Sequence, residues 1–511
     1  MPLAVMITVV ATALTTRLSL IWKSRHRGCD AYYFLLCAEE YRRHRKLPIA
    51  LPNYYLLDKP EQWYPPGFAV FLSWIPDKWL KRNYWLINPL LDSLIAVLLS
   101  WFLWAETGSW VAATVGGMAY ALAWPAITDC QNLNSRPLGD LLFTVMMLGL
   151  IQWLNNGWSG WFVLAVAACY LTFMTHKLTM QLVYLLLPFM AIVTGDVKPV
   201  IVLGTALVGA FGLNHRVAID ILRGQANILK FWRRNWRNLG AHQVLSSPVY
   251  GDEGRQDPGR VFQTGVRGVV KNIAHMGANP FILVALAALA ALVAISTAPL
   301  SNTEQVIAAW MLFTYALAWA TMMTPELRFY GEGYKYLRLA VFPVAFLVGT
   351  VVAKTGQDGG GIAIFWGGYP WGWYLAIAGC GIVALLVILT RVRDVSRLAV
   401  NPVVDADLEK ALEYLRRPEV TAVMTIPTHL MDTIVYHCRK PVVWGTHSAG
   451  FENVEPLFPV FREKVEWFVE KYAVSHIVVD ERYVGNKVLK LGAPVFRSGR
   501  YSLFEAQALR F

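Results

Sequence analysis

Residues 3–33 read LAVMITVVATALTTRLSLIWKSRHRGCDAYY. Leu3–Trp22 is an apolar run broken only by Arg17, and roughly 20 such residues cross a bilayer as a helix. No small-residue cleavage site follows, so the run is expected to stay as an anchored first span rather than leave as a signal peptide. Basic residues come next, and then Asp30, Tyr32 and Tyr33, placed where a membrane surface would lie. A span opening directly into a long polar loop sets the class of fold.

The rest of the chain repeats the pattern. It has 511 residues, 56% hydrophobic and only 16% charged, against about 25% charged in soluble chains. The 21 Trp, 22 Tyr and 24 Phe suit membrane interfaces. This composition excludes a disordered chain, a fibrous repeat and an ordinary soluble enzyme. Span-length apolar windows lie near 3–22, 84–105, 110–128, 138–154, 160–176, 178–194, 199–221, 279–298, 305–324, 338–354 and 371–390. The expectation is a polytopic α-helical membrane protein of about 11 spans over 1–394, with a small soluble α/β domain over 395–511.

Connections alternate in length. Glu106–Ser109, Asn155–Ser159 and Gly195–Lys198 are short, whereas 23–83, 129–137, 222–278 and 325–337 are long. With an odd number of spans, the long loops and the C-terminal domain share one elaborated face, where chemistry is expected. That face is also basic: 23–63 holds eight Lys/Arg against five acids, and 222–278 holds nine against three. The positive-inside rule would place it in the cytoplasm. The net charge of +12 belongs wholly to the first 400 residues, because Asn401 onward carries 14 basic and 14 acidic residues. A basic membrane region points to anionic lipid headgroups or a lipid phosphate as partner, and not to nucleic acid.

Beyond Thr390, Val420–Pro427, Pro441–Thr446 and Ser475–Asp480 read as short buried strands, with helical stretches at 405–417, 429–437 and 459–473. Ala493–Glu505 reads as a hairpin turning at Ser498-Gly499. No GxGxxG follows a strand, so no dinucleotide site is expected, and a lid or docking module is the plain reading.

Asp30 has two readings. In a pocket it can act as general base for a hydroxyl nucleophile, and it can equally cap the helix that starts at Ala31. Tyr64-Pro65-Pro66-Gly67 is a stiff turn into a helix too short to span, suited to lying along the interface. Asp129, in the second long loop, is a second carboxylate for an acceptor or a metal, or a loop cap. Lys177, Lys335 and Arg338 sit near loop ends on the elaborated face, where such side chains bind anions or snorkel to headgroups.

These residues carry a resemblance. Arg17 near the end of the first span, Asp30-x-Tyr32-Tyr33, then Leu47-Pro48 and Tyr64-Pro65-Pro66-Gly67-Phe68 before the second span resemble the GT-C glycosyltransferases. The similarity is to the branch of protein mannosyltransferases and the lipid A aminoarabinose transferase. His176-Lys177, the segment Tyr334–Leu339 with Phe342-Pro343, and the terminal α/β domain are similar to that branch as well. Two departures stand out. Many relatives carry an acidic pair where this chain has Cys29-Asp30, and a Glu-Lys-Pro-Pro is here Trp63-Tyr64-Pro65-Pro66, leaving Asp58 or Glu61 as substitutes.

The resemblance implies a sugar on a polyprenyl phosphate, transferred with inversion to an acceptor hydroxyl. Asp30 would be the base, Lys177, Lys335 and Arg338 would hold the phosphate, and Tyr32, Tyr33 and Tyr64 would shape the acceptor groove. It also implies an extracytoplasmic catalytic face in a bacterial or archaeal membrane, against the charge count. No cofactor is expected; the family holds metal-using and metal-free branches, which leaves a divalent cation open. Six Cys without a CxxC pair, and His242 far from His275, assign no metal site. The rival classes are a transporter or lipid flippase, which would show internal repeats that this chain lacks, and a non-catalytic membrane subunit.

Overall fold

The computed structural model describes residues 1–21, 30–57, 59–251, 287–293, 299–331, 333–357, 404–445, 447, 451 and 453–506. The first helix is α1 (Leu3–Ile21). The first long loop then carries α2 (Asp30–His44), α3 (Gly67–Ser73) and α4 (Asp77–Asn83). The bundle continues with α5 (Ile87–Thr107), α6 (Trp110–Ala121), the short α7 (Trp124–Asp129) and α8 (Arg136–Asn156). After these come α9 (Ser159–Phe173), α10 (Lys177–Thr194), α11 (Lys198–Asn235), α12 (Asn302–Met323) and α13 (Val341–Gln357).

Among the described residues, six helical stretches are long and apolar enough to cross a membrane: Asp77–Thr107, Arg136–Asn156, Lys177–Thr194, Lys198–Asn238, Asn302–Met323 and Gly333–Thr355. Leu3–Ser19 and Ser159–Phe173 are shorter apolar helices. The chain is an integral membrane protein. The window at 110–128 is not one span: Trp124-Pro125 starts a new helix, because proline suits a first turn and interrupts a helix interior. The window at 371–390, and 279–286 and 294–298 of the window at 279–298, lie outside the described residues.

The helices alternate in direction, so the bundle has two unlike ends. At one end the short turns meet, where Glu106 accepts from Gln152 at 2.9 Å and from Thr303 at 3.2 Å, and Lys354 pairs with Glu304 at 2.7 Å. The other end gathers α2, α3, α7, the starts of α8 and α10 and the polar half of α11. Helix α11 changes course at Asn214 (φ −156°, ψ 73°), whose side chain caps the second half by accepting from the Val217 amide at 3.3 Å. Apolar side chains such as Leu90, Leu94, Trp101 and Val163 stay exposed on the outside of the bundle, as lipid-facing positions require.

Near the C-terminus, α14 (Ala406–Leu415), α15 (Met431–Cys438) and α16 (Val465–Tyr472) pack with four strands. These are β1 (Val423–Ile426), β2 (His476–Asp480), β3 (Phe496–Ser498) and β4 (Tyr501–Glu505), in the order β1-β2-β4-β3. β1 and β2 are parallel, while β4 pairs antiparallel with both β2 and β3. The strand expected at Pro441–Thr446 is reduced to bridges at Val442, because its backbone also pairs with the first long loop. Val442 N donates to Tyr54 O at 2.8 Å, Leu56 N to Val442 O at 2.9 Å and Leu57 N to Val443 O at 3.0 Å. The Tyr55 hydroxyl donates to Asp432 Oδ1 at 2.7 Å. One buried apolar core therefore runs from α2 and the first loop into the α/β layers, separate from the core inside the bundle.

Candidate active site

A cavity of about 320 Å³ opens at the loop-rich end. Asp30 and Phe34 enter it from α2; spaced four apart, they share one helix face. Tyr64 comes from the Pro-Pro turn, Arg136 from the first turn of α8, and His176 and Lys177 from the start of α10. Ile228, Leu229 and Trp232 of α11 give an apolar wall, and Arg328, Lys335 and His447 also line the cavity. Among the described residues, one carboxylate thus faces several cations beside an apolar surface.

Close backbone approaches set this geometry. Gly67 N donates to Met174 O at 2.6 Å, and a Cβ on Gly67 would lie 2.7 Å from Met174 O and from Thr175 Oγ1. A Cβ on Gly139 would lie 2.7 Å from His176 Cβ. Both positions need a residue without a side chain for the Pro-Pro turn, α8 and α10 to meet.

Asp30 Oδ1 lies 3.4 Å from His447 Nε2. Burial pushes the Asp30 carboxyl up, but His447, with Arg136 and Lys335, outweighs it and holds the group well below the usual carboxylate range. Lys177 Nζ lies 5.5 Å from the Tyr64 ring centroid and 5.6 Å from that of Trp63. The Tyr64 hydroxyl is 3.2 Å from Ser135 Oγ, and burial pushes its phenol up to about 12. His176 Nδ1 accepts from the Thr179 amide at 3.3 Å, and burial followed by Arg338 and Arg136 keeps the ring neutral, well below its ordinary range.

Behind the cavity, Asp129 accepts from Arg136 Nη1 at 2.9 Å and from Arg338 Nη1 at 2.6 Å. Burial raises this carboxyl, and Arg338 and Arg136 together reverse the shift and lower it. Arg338 Nε is also 3.2 Å from Asp140 Oδ2, and its side chain is 3% exposed. Arg338, expected to hold phosphate, has its guanidinium paired with two carboxylates and is not among the residues lining the cavity. Arg136, which sequence reasoning missed, faces the cavity instead. Its signal was Pro137, which places Ser135-Arg136 at a helix start.

Asp30, Lys177, Lys335 and Tyr64 do meet at the cavity. Tyr33 is buried just behind, with its hydroxyl 3.3 Å from Gln62 Oε1. Tyr32 turns away to pack on Tyr436 and His437, each with centroids 5.0 Å apart. Glu61 is exposed, away from the cavity, with its backbone bridged to Ala50. Asp58 lies outside the described residues. A divalent cation needs converging oxygen or imidazole ligands, and among the described residues no three His, Cys, Asp or Glu side chains converge in that way. Asp30 faces cations and Asp129 is taken by two guanidinium groups, so these two carboxylates do not by themselves form a metal site.

No protein-family model and no curated protein sequence matches the chain. Among solved structures, the apo oligosaccharyltransferase of Archaeoglobus fulgidus matches at TM-score 0.61 and 13% identity, over 95% of this chain and 71% of that one. The same enzyme, AglB, in complex with an inhibitory peptide and a dolichol-phosphate gives 0.60 and 13%, over 94% and 69%. The chain shares the fold of this oligosaccharyltransferase, a member of the GT-C superfamily. ArnT from Cupriavidus metallidurans bound to undecaprenyl phosphate aligns over 98% of both chains at 13% identity and TM-score 0.42. At the GT-C level the sequence-based expectation and the observed fold agree.

Proposed function

We propose that the chain is a GT-C glycosyltransferase that moves a sugar from a polyprenyl phosphate to an acceptor hydroxyl, with inversion. The observation that carries this reading is the pairing, in one cavity, of the Asp30 carboxylate with Arg136, Lys177 and Lys335. The archaeal oligosaccharyltransferase that shares the fold has been seen with a dolichol-phosphate, which supports a lipid-phosphate donor here.

The chemistry follows from the charges. The hydroxyl attacks the anomeric carbon while Asp30 takes its proton, and the bond to the phosphate oxygen breaks on the opposite face. The leaving phosphate needs charge stabilisation rather than a strong acid. Fixed cations in a site shielded from water provide it, each such donor contributing about 3–4 kcal/mol. The apolar wall of Ile228, Leu229 and Trp232 suits the first isoprene units of the lipid. We place the cavity and the C-terminal domain on the extracytoplasmic side and read the basic loops as phosphate-binding rather than as a topology signal. An enzymatic reporter fused after Phe511 tests this placement, since activity confined to the cytoplasm would reverse it.

The test of function is release of polyprenyl phosphate from a panel of synthetic polyprenyl-phosphate hexoses by the purified protein. Release by the wild type and none by Asp30→Asn is the expected result. No release from any donor, or full release by the variant, would contradict the reading.

A further inference from the structure

His447 enters the cavity from the C-terminal part of the chain. It follows Val442 and Val443, the residues whose backbone is bonded to Tyr54, Leu56 and Leu57 of the first long loop. The imidazole packs against three rings of the membrane region, with centroid distances of 5.2 Å to Tyr33, 5.4 Å to Phe34 and 4.8 Å to Tyr64. Its side chain is only 15% exposed, and Nε2 is buried with Asp30 Oδ1 3.4 Å away. A residue that merely anchored a lid would have no reason to aim a ring nitrogen at the Asp30 carboxylate.

Resting on the transferase reading above, we propose that His447 is a proton relay for Asp30, so that the C-terminal α/β domain completes the reaction site. The acceptor oxygen bonds to the anomeric carbon as the bond from that carbon to the phosphate oxygen breaks, and that electron pair leaves on the phosphate. In the substrate complex the relay needs a neutral His447 with Nε2 unprotonated; the acceptor's proton passes to Asp30 and from there to that Nε2, and the imidazolium so formed releases it to water when the products leave. The division of labour is chemical. A carboxylate beside Arg136 and Lys335 is a poor resting place for a proton, whereas a neutral imidazole nitrogen within reach of it can take the proton on. The groups facing His447 are Asp30, the phenols of Tyr33 and Tyr64, the neutral His176, and the cations Arg136, Lys177 and Lys335 across the cavity. Among the described groups of this set, Asp30 is the carboxylate partner.

The experiment compares full-length wild type, His447→Gln, His447→Ala and Asp30→Asn on polyprenyl-phosphate hexoses, reading release of polyprenyl phosphate between pH 5 and 9, values chosen to bracket the ordinary imidazole range. The relay predicts that His447→Gln lowers kcat by roughly 100-fold or more. Its donor KM should stay within about 3-fold of wild type, as expected when only the transition state is affected. The acid limb of the kcat profile should flatten, and added imidazole should restore part of the activity of His447→Ala. Wild-type kcat and pH profile in His447→Gln, with Asp30→Asn inactive, would overturn the relay and leave the transferase standing. Activity lost together with donor binding, without rescue by imidazole, would reassign His447 to packing. Failure of the wild type on every donor would overturn the transferase reading and the relay together.

Discussion

Arg338 donates from Nη1 to Asp129 Oδ2 at 2.6 Å, and this contact keeps a buried cation out of the cavity while leaving Arg136, on the other oxygen of the same carboxylate, facing into it. The two arginines therefore have different duties. Arg338 with Asp140 forms a fixed base, and Asp129 orients Arg136 toward the space where a phosphate would sit.

Arg338→Gln should act on stability. It leaves Asp140 and one oxygen of Asp129 without their cation, and removing one partner of a buried pair costs about 3–5 kcal/mol. Thermal unfolding in mild detergent should fall sharply. Arg136→Gln, whose side chain is 25% exposed, should instead raise the donor KM with a small effect on unfolding. Equal effects of the two substitutions on both readouts would contradict the division.

Inside the bundle, the Arg17 guanidinium is bonded to Asp92 and also donates to Ala121 O at 2.9 Å, while the Tyr120 hydroxyl donates to Asp92 Oδ1 at 2.9 Å. Arg17→Met or Asp92→Leu alone should cost roughly 3–5 kcal/mol, and the double substitution should recover much of that loss. A double-mutant cycle on thermal unfolding measures the coupling. Strict additivity would show that the pair does not act as a unit.

Gly67→Ala places a methyl group against Met174 O and Thr175 Oγ1, where a Cβ would lie at 2.7 Å. The turn must shift, at a cost of about 1–3 kcal/mol, and Tyr64 moves with it. Lower stability together with weaker donor binding is expected, and unchanged behaviour in both would remove the argument for a forced approach.

The carboxyls of Asp30 and Asp129 are both lowered in the folded protein. A lowered carboxyl contributes stability that is fully present above its unfolded value, near 3.9, and is lost as pH falls through the folded value. Wild type should therefore lose stability progressively below about pH 4, and Asp30→Asn should lose less over the same interval. Unfolding temperatures recorded from pH 7 down to 3 in detergent test this. Identical acid profiles would show that Asp30 is not held in its ionised form.

The bundle was legible because spans are long and apolar, and Asp30 and Lys177 were legible because each opens a helix beside a loop. The split at 122–123 was marked by Trp124-Pro125, yet average hydropathy masks a break between two apolar pieces. Lys335 and Arg338 looked alike as basic residues near helix ends, and Arg136 passed unnoticed beside Pro137. Which of them faces the cavity depends on Asp129 and Asp140, and no spacing encodes that pairing. His447 was hidden for a different reason. It sits in a loop far along the chain from Asp30, and only the backbone pairing of Val442 and Val443 with the first long loop carries it to the cavity.

The central claim is that Arg136, Lys177 and Lys335 hold the phosphate of a lipid-linked sugar. Native mass spectrometry of the protein purified in mild detergent tests it most directly, beside a Lys177→Ala, Lys335→Ala double variant. A polyprenyl phosphate retained by the wild type and lost from the variant, with folding preserved, is the predicted result. Isoprenoid phosphate bound equally by both proteins, or ordinary phospholipid alone in either, would contradict it.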